Sequence, residues 1–446
     1  MKNVLVLGAG RSSSSLIKYL LDNAGMSNWK VTVGDVSLAA AQQKVKNHDR
    51  GNAIRFDINE TESTTEAIRN ADIIISLMPA HLHTLVAVRC LEFGKHLLNA
   101  SYVSDEMRSF HSEADSKGLL FLNECGLDPG IDHMSAMQVI DTIKRQGGKL
   151  TSFESFTGGL IAPDTDPDNP WRYKFTWNPR NVVMAGQSTA KYLQGGKFKY
   201  IPYQQLFQRI TSVTVPEFGE YEGYANRDSL KYLETYSLQE VQTMLRGTLR
   251  NKGFCAAWNI FVQLGCCDDT YSMEGVEGMT HQSFINSFLP ERAGKSTEQK
   301  IAERFQLASY GHELKNLQWS GLFSDEPVGL KQGTPAQILE HILNKKWKLA
   351  ESDKDQIVMW HRFVYEQKGK QHEIQSSLVA TGSDSVFTAM AKTVGLPLGI
   401  AAKLLAQNKL TARGVVIPTT PQFYEPILKE LKNEGINFNE IHSTTP

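Results

Sequence analysis

The chain has 446 residues, enough for two or three domains of roughly 100–200 residues each. Lys and Arg total 47 against 48 Asp and Glu, and this balance gives no electrostatic reason to expect nucleic acid or an anionic membrane as partner. Five cysteines without metal-ligand spacing (Cys90, Cys125, Cys255, Cys266, Cys267) suit reduced thiols in a cytoplasmic protein. The opening Met-Lys-Asn-Val-Leu-Val-Leu runs straight into a Gly turn, which predicts a first strand and no signal peptide. No stretch approaches the roughly 20 apolar residues of a membrane span, so no membrane partner is expected.

The first 125 residues alternate strand and helix signals. Strands are expected at Val4–Leu7, Lys30–Gly34, Asn52–Asp57, Ile73–Leu77, Lys95–Asn99 and Leu119–Asn123. Helices are expected at Ser12–Leu21, Leu38–Lys46, Thr64–Asn70, His83–Glu92 and Asp105–Ser116. Repeated βαβ units predict an α/β fold with a Rossmann, doubly wound parallel sheet. A Gly/Pro/Asp-rich loop follows at Glu124–His133, then a helix from about Met134 to Lys144. Residues 150–265 carry aromatic and β-branched runs expected to form a mixed sheet. Residues 268–354 look chiefly helical, with strong formers at Ser296–Leu307 and Thr334–Lys345. In the tail, helices are expected near Ser385–Val394, after Pro397 and at Gln422–Asn433.

Gly8-Ala9-Gly10 follows the first strand and opens a helix, the context in which a glycine pair marks a dinucleotide site. Gly8 permits the tight turn, and Gly10 lets backbone approach a pyrophosphate. Ser13 stands at the third small position, and Arg11, Ser12 and Ser13 offer further donors to phosphate. Asp35 ends the second strand, where a carboxylate binds the ribose hydroxyls and repels a 2′-phosphate. Val36 follows with no Arg beside it, so NAD is favoured and NADP is the second choice. The alternative for Asp35 is a helix N-cap. Asp57 and Ile58 are placed by the adenine, Ser76 and Leu77 at the sheet's carboxyl edge.

The later motifs are no longer generic. Ala100-Ser101-Tyr102-Val103, the loop Gly126-Leu127-Asp128-Pro129-Gly130-Ile131-Asp132-His133-Met134 and Thr157-Gly158-Gly159-Leu160-Ile161-Ala162-Pro163 come in sequence. Tyr173-Lys174-Phe175-Thr176-Trp177, Glu222-Gly223-Tyr224-Ala225-Asn226-Arg227-Asp228-Ser229, Leu245-Arg246-Gly247-Thr248-Leu249-Arg250 and Ala389–Pro397 follow. Their order resembles the glutamate-forming saccharopine dehydrogenase family, and most closely the NAD-using dehydrogenase half of the bifunctional animal and plant enzymes. Two departures stand out: Thr157 where many relatives have Cys, and Ala225 where Pro is common.

The resemblance implies reversible oxidation of saccharopine, with water, to L-glutamate and 2-aminoadipate 6-semialdehyde. It implies a Rossmann domain over 1–125 completed by about 395–446, a substrate and dimerisation domain over 126–267 and about 355–394, and a helical insertion over about 268–354. A homodimer is expected on the same ground. Substrate contacts are implied for Ser101, Tyr102, Arg227, Thr248, Leu249 and Arg250, because Arg forks suit the planar carboxylates of saccharopine. Arg172 and Lys174 are weaker candidates. The cofactor set extends to Leu127, Asp128, Pro129 and Thr176. Asp128 is the first choice for a base that deprotonates the substrate ammonium, with His133 and Tyr102 as alternatives; Asp132 caps the next helix. His81 and His83 form an HxH pair, but no further ligands support a metal. Cys125 is expected to be a small buried group. Competing readings are a related imine-reducing enzyme, such as a carboxynorspermidine dehydrogenase, and a non-catalytic cofactor-sensing protein.

Overall fold

The computed structural model describes residues 1–185 and 187–445 and divides the chain into two compact units. The first comprises Met1–Lys149 and Gly382–Phe438, the second Leu150–Thr381 and Asn439–Pro446.

In the first unit, β1 (Lys2–Leu7), β2 (Trp29–Asp35), β3 (Gly51–Arg55), β4 (Ile73–Ser76), β5 (His96–Asn99) and β6 (Leu120–Leu122) lie in one sheet. With Gly414–Val416 the spatial order is Gly414–Val416, β6, β5, β4, β1, β2, β3. All neighbours pair in parallel, in the register Leu5↔Thr32 and Leu5↔Ile74 around the central strand. The order reverses between β1 and β4, the switch point at which open α/β sheets bind ligands. The apolar runs of β1 and β4 are buried because helices cover both faces. On one face Leu5, Leu7, Ile74, Leu97 and Phe121 pack with Val86, Ala87 and Met107.

Two elements differ from the sequence expectation. Asp105–Ser116 forms two helices, Asp105–Ser109 and His111–Ser116. The two tail helices expected on either side of Pro397 form one, Ala389–Ala406. Proline removes an N–H and usually breaks a helix, but here Gly395 and Gly399, one turn apart, press the helix onto helix Ser14–Asp22. A Cβ on Gly395 would lie 2.9 Å from the Leu16 backbone N, and one on Gly399 would lie 2.6 Å from the Tyr19 ring. Tertiary packing overrides the local breaker. This helix is also long and apolar enough to cross a bilayer, contrary to the reading of the sequence, yet most of it is buried within the protein. The compact first unit also runs past residue 125 to Lys149, because helix Ile131–Arg145 packs on helix Pro421–Asn433 of the same unit.

The second unit is built on a sheet in the order Ile210–Val215, Gly219–Ala225, Thr243–Asn251, Lys149–Ile161, Asp355–Gln367, Lys370–Thr381, Phe438–Thr445, with the hairpin Ala190–Gln194/Lys197–Ile201 branching from Thr243–Asn251. Four helices, His281–Asn286, Thr297–Phe305, His312–Trp319 and Pro335–Trp347, occupy the stretch expected to be helical. Three of them start with reciprocal capping boxes, at Thr280/Ser283, Ser296/Gln299 and Thr334/Gln337. Each satisfies orphan N–H groups at a helix start, which explains helices in so polar a segment. Their apolar faces join a core around Trp171, Tyr173, Phe175, Phe254, Trp258 and Trp347.

Candidate functional site

At the carboxyl edge of the first sheet, Gly8 adopts φ +104° and a Cβ there would press on the Leu77 carbonyl at 3.1 Å. Only glycine combines that dihedral with that contact. Gly10 faces open space: a Cβ would meet nothing within 4 Å. It precedes the short helix Arg11–Ser13, whose start has no side-chain cap. An open glycine before uncapped N–H groups fits a pyrophosphate. Arg11 is exposed and Ser12 half-buried, whereas Ser13 is buried and donates to the Gly10 carbonyl at 2.8 Å. Ser13 therefore closes the turn on itself.

Asp35 is not a helix N-cap: Ser37 fills that role, accepting from Ala40 N–H. Asp35 Oδ2 instead accepts from Ala9 N–H at 2.7 Å and Oδ1 from Ser37 N–H at 2.9 Å. Val36 beside it is 63% exposed, an apolar surface suited to a stacked adenine. Asp57 uses Oδ1 to hold Asn59 and its carbonyl to hold Thr64, with Ile58 half-buried next to it.

Beyond β4 the structure departs from the sequence reading. Ser76 is fully buried and its Oγ lies 2.9 Å from His83 Nδ1, so the hydroxyl is turned away from the cofactor role expected of it. His83 Nε2 lies 2.8 Å from Ser101 Oγ. Tyr102 and His83 border a cavity of about 290 Å³, together with His81, Asn99, Glu106 and Asn123. His81 is exposed and His83 buried, so the HxH pair does not converge; among the described residues no group of three His, Cys, Asp or Glu is placed to hold a metal.

The Gly-Leu-Asp-Pro-Gly loop folds back through Gly126 N–H to the Pro129 carbonyl and Ile131 N–H to the Gly126 carbonyl. This buries Leu127 and Pro129 and leaves Asp128 partly exposed, accepting from the Tyr102 hydroxyl at 3.1 Å. Two of the residues expected to handle protons are thus paired. His133 is not with them. It is 0% exposed and held between Glu124, at 2.8 Å, and Asp132, at 3.6 Å. Buried between two carboxylates, His133 braces the loop and presents no exposed ring nitrogen, unlike the Asp128–Tyr102 pair. Asp132 Oδ1 accepts from Gly130 N–H at 2.6 Å, two residues ahead of it. Cys125 is buried, and burial pushes its thiol up.

In the second unit, strand Thr243–Asn251 carries Thr248, Leu249 and Arg250. Thr248 is half-buried, opposite Tyr224 on one neighbour and Thr157 on the other. Arg250 is 5% exposed. Its guanidinium carbon lies 5.1 Å from the Tyr173 ring centre, 5.2 Å from Phe254 and 5.8 Å from Tyr224. One of its N–H groups reaches the Leu249 carbonyl at 3.0 Å, and Nε has no partner. Glu222, directly across the strand pair, points instead at the Gly253 and Cys255 N–H groups. No carboxylate among the described residues pairs with Arg250. The Thr157, Tyr173 and Thr176 hydroxyls are likewise buried without partners. Buried charges are ordinarily paired; here a cage of three aromatic rings stands around the guanidinium in place of a carboxylate.

The remaining cations divide. Arg227 is exposed, in a left-handed turn at φ +48°. Lys174 is buried between Asp353 at 2.7 Å and Asp166 at 2.8 Å, which accounts for it as an internal ion pair. Arg172 is exposed and leans on the Pro163 carbonyl. Arg246 was not singled out from the sequence; it is buried and stacks on Tyr232 at 4.2 Å.

The comparisons with known proteins cover the same ground. Residues 4–122 match the saccharopine dehydrogenase NADP binding domain and residues 126–436 the saccharopine dehydrogenase C-terminal domain. The chain belongs to the saccharopine dehydrogenase family. It is 32% identical to the saccharopine dehydrogenase [NADP(+), L-glutamate-forming] of Saccharomyces cerevisiae, over 98% of this chain and 99% of that one. It is 35% identical to the mitochondrial alpha-aminoadipic semialdehyde synthase of Mus musculus over 98% of this chain, and spans about half of that protein, 47%. The apo structure of the Saccharomyces cerevisiae saccharopine dehydrogenase (L-Glu forming) superposes with a TM-score of 0.89 at 31% identity, covering 100% of both chains. Membership in the family therefore extends over both units. Within it, sequence reading missed the Ser76–His83–Ser101 contacts and the aromatic walls around Arg250, since neither has a local pattern.

Proposed function

We propose that the chain catalyses the reversible, nicotinamide-dependent oxidation of saccharopine to L-glutamate and 2-aminoadipate 6-semialdehyde. The observation that carries this reading is Arg250: a buried guanidinium without a counter-ion requires an anionic ligand, and saccharopine brings three carboxylates. Thr248 and the Leu249 backbone border the same cage, and Arg227 supplies a second, exposed fork. When bound, a nicotinamide dinucleotide supplies the hydride acceptor. Gly8, Gly10, Arg11 and Ser12 hold its phosphates, Asp35 and Val36 its adenosine. Asp128, kept in place by the Tyr102 hydroxyl, takes the proton that the substrate's secondary ammonium loses before oxidation.

NAD is favoured over NADP. Asp35 supports this: a carboxylate at the end of β2, with Val36-Ser37-Leu38 and no cation after it, repels a 2′-phosphate. This reading sets the chain apart from the fungal relatives whose names carry NADP(+). We also propose a cytoplasmic homodimer. Five free, buried thiols suit a reducing compartment. Phe198, Tyr200, Ile210 and Phe218 are exposed near the branch hairpin and the first strand of the second sheet, an apolar set suited to a partner.

The test is to incubate purified protein with saccharopine and either NAD or NADP, following reduced nicotinamide by absorbance and glutamate by product assay. Turnover with NAD, glutamate release and weak use of NADP are expected. Preference for NADP overturns the Asp35 assignment alone. Absence of turnover, in protein that binds a cofactor, overturns the reaction.

A further inference from the structure

Three segments of the first unit converge on one imidazole. Ser76 ends β4, His83 opens helix His83–Phe93, and Ser101 follows β5. Ser76 Oγ lies 2.9 Å from His83 Nδ1 and Ser101 Oγ 2.8 Å from His83 Nε2. The backbone of Ser101 is fixed as well: its N–H donates to Asn99 Oδ1 at 2.9 Å, and Asn99 Nδ2 donates to Asn123 Oδ1 at 2.6 Å.

The distances alone leave the proton positions open, but burial decides them. Ser76 is 0% exposed, and the imidazole is its hydroxyl's one partner among the described residues. A buried hydroxyl that does not donate strands its proton, whereas an oxygen short of one donor is far more readily tolerated. Ser76 therefore donates to Nδ1. A neutral imidazole that accepts at Nδ1 carries its proton on Nε2, so Nε2–H donates to Ser101 Oγ. An oxygen that accepts there directs its own proton elsewhere. Burial, with His81 adding to it, holds His83 down to about 4 and so keeps it neutral near pH 7.

We propose that Ser76 and His83 are positioning residues that set the Ser101 hydroxyl as a hydrogen-bond donor, aimed away from the imidazole at a carboxylate oxygen of the amino-acid substrate. Each bond in the series polarises the next, so the terminal hydroxyl is a stronger donor than an isolated serine. Neither Ser76 nor His83 need touch the substrate. The carboxylate as acceptor rests on the proposed reaction; the direction of the series does not.

Two measurements test this. Long-range proton–nitrogen spectra of protein labelled with 15N-histidine report the tautomer directly, with the His83 signals assigned by their loss in His83→Gln or, if that variant does not fold, by their shift in Ser76→Ala. A neutral ring protonated on Nε2 is expected at pH 7, and a ring protonated on Nδ1 overturns the proposal. The second measurement is a double-mutant cycle on kcat/KM for saccharopine. Ser101→Ala and Ser76→Ala are each expected to lower it about tenfold, the scale of a hydrogen bond to a charged group. In the Ser101→Ala background, Ser76→Ala is expected to add less than twofold, because its effect passes through Ser101. Multiplying effects, or no effect of Ser76→Ala alone, overturn the positioning role. Absence of saccharopine turnover in the wild type overturns the carboxylate acceptor together with the proposed reaction, while the tautomer still decides the relay.

Discussion

Asp35 Oδ2 accepts a 2.7 Å hydrogen bond from the Ala9 backbone N–H, tying the end of β2 to the phosphate turn after β1. The carboxylate thus serves the turn in addition to the adenosine role proposed for it. Asp35→Ala is expected to raise the KM for NAD about tenfold, on the order of 1.4 kcal/mol, and to change the KM for NADP less than threefold. The lost repulsion of a 2′-phosphate is offset by a turn that has lost its acceptor. Steady-state kinetics with both cofactors checks this; a clean switch to tight NADP use shows that the turn stands without Asp35.

Arg250 is expected to dominate substrate affinity. Arg250→Met preserves apolar volume inside the ring of Tyr173, Tyr224 and Phe254 and removes the charge. It is expected to lower kcat/KM for saccharopine by about 100-fold or more, with an unchanged or higher Tm, because deleting an unpaired buried charge relieves the folded state. Arg250→Lys is expected to recover little, since a point charge cannot reproduce the fork. A mutant that keeps its KM places the substrate carboxylates elsewhere.

Titration of two histidines shapes acid stability. Burial, first in each case, brings His83 and His96 down to about 4 from an ordinary 6.5. Between those values the unfolded chain takes up protons that the folded chain refuses, so stability falls as pH drops from about 6.5 to about 4 and is unaffected above that window. The slope is on the order of 1 kcal/mol per pH unit for each ring. Urea denaturation from pH 7.5 to 4.5 measures it. His96→Gln is expected to flatten the curve by about one histidine's share, and an unaltered slope removes His96 from the account.

The contact of helix Ala389–Ala406 with helix Ser14–Asp22 is a backbone contact. Gly395→Val is expected to cost about 2–4 kcal/mol, since the added side chain meets the Leu16 backbone and cannot be accommodated by rotamer change. Cofactor affinity is expected to weaken with it, because helix Ala389–Ala406 also packs on Arg11–Ser13, the segment that opens at the phosphate turn. Calorimetry and cofactor titration of the same variant check both; a fully stable Gly395→Val contradicts the packing.

Much of this is legible in the chain before folding. β1 to β6 follow from apolar runs spaced by helical periods, and Gly8, Gly10 and Asp35 from their positions at strand ends. What sequence could not supply is contact between distant segments. His83 reads as half of a metal-like HxH pair until β4 and β5 bring Ser76 and Ser101 to its two nitrogens. His133 reads as a catalytic base from its place in the Gly126–Met134 motif, but the loop's fold buries it against Glu124. Pro397 reads as a helix break, and only the glycines on either side of it, packed on Leu16 and Tyr19, show why the helix continues. Arg250 reads as a candidate binding residue through its motif; of the aromatic walls around it, Phe254 lies four residues on, whereas Tyr173 and Tyr224 come from other segments.

The contribution of Ala389–Ala406 and Gly414–Val416 to the first unit bears on synthesis. Some 230 residues of the second unit separate Lys149 from Gly382, which at about 5–20 residues per second takes a ribosome roughly 12–45 s to add. Throughout that interval the emerging N-terminal half has β6 as a bare edge, lacking Gly414–Val416, and an uncovered apolar stripe on helix Ser14–Asp22. The nucleotide-binding unit therefore keeps that edge and that stripe open until Gly382–Phe438 has been added, an interval in which transient exposure favours aggregation.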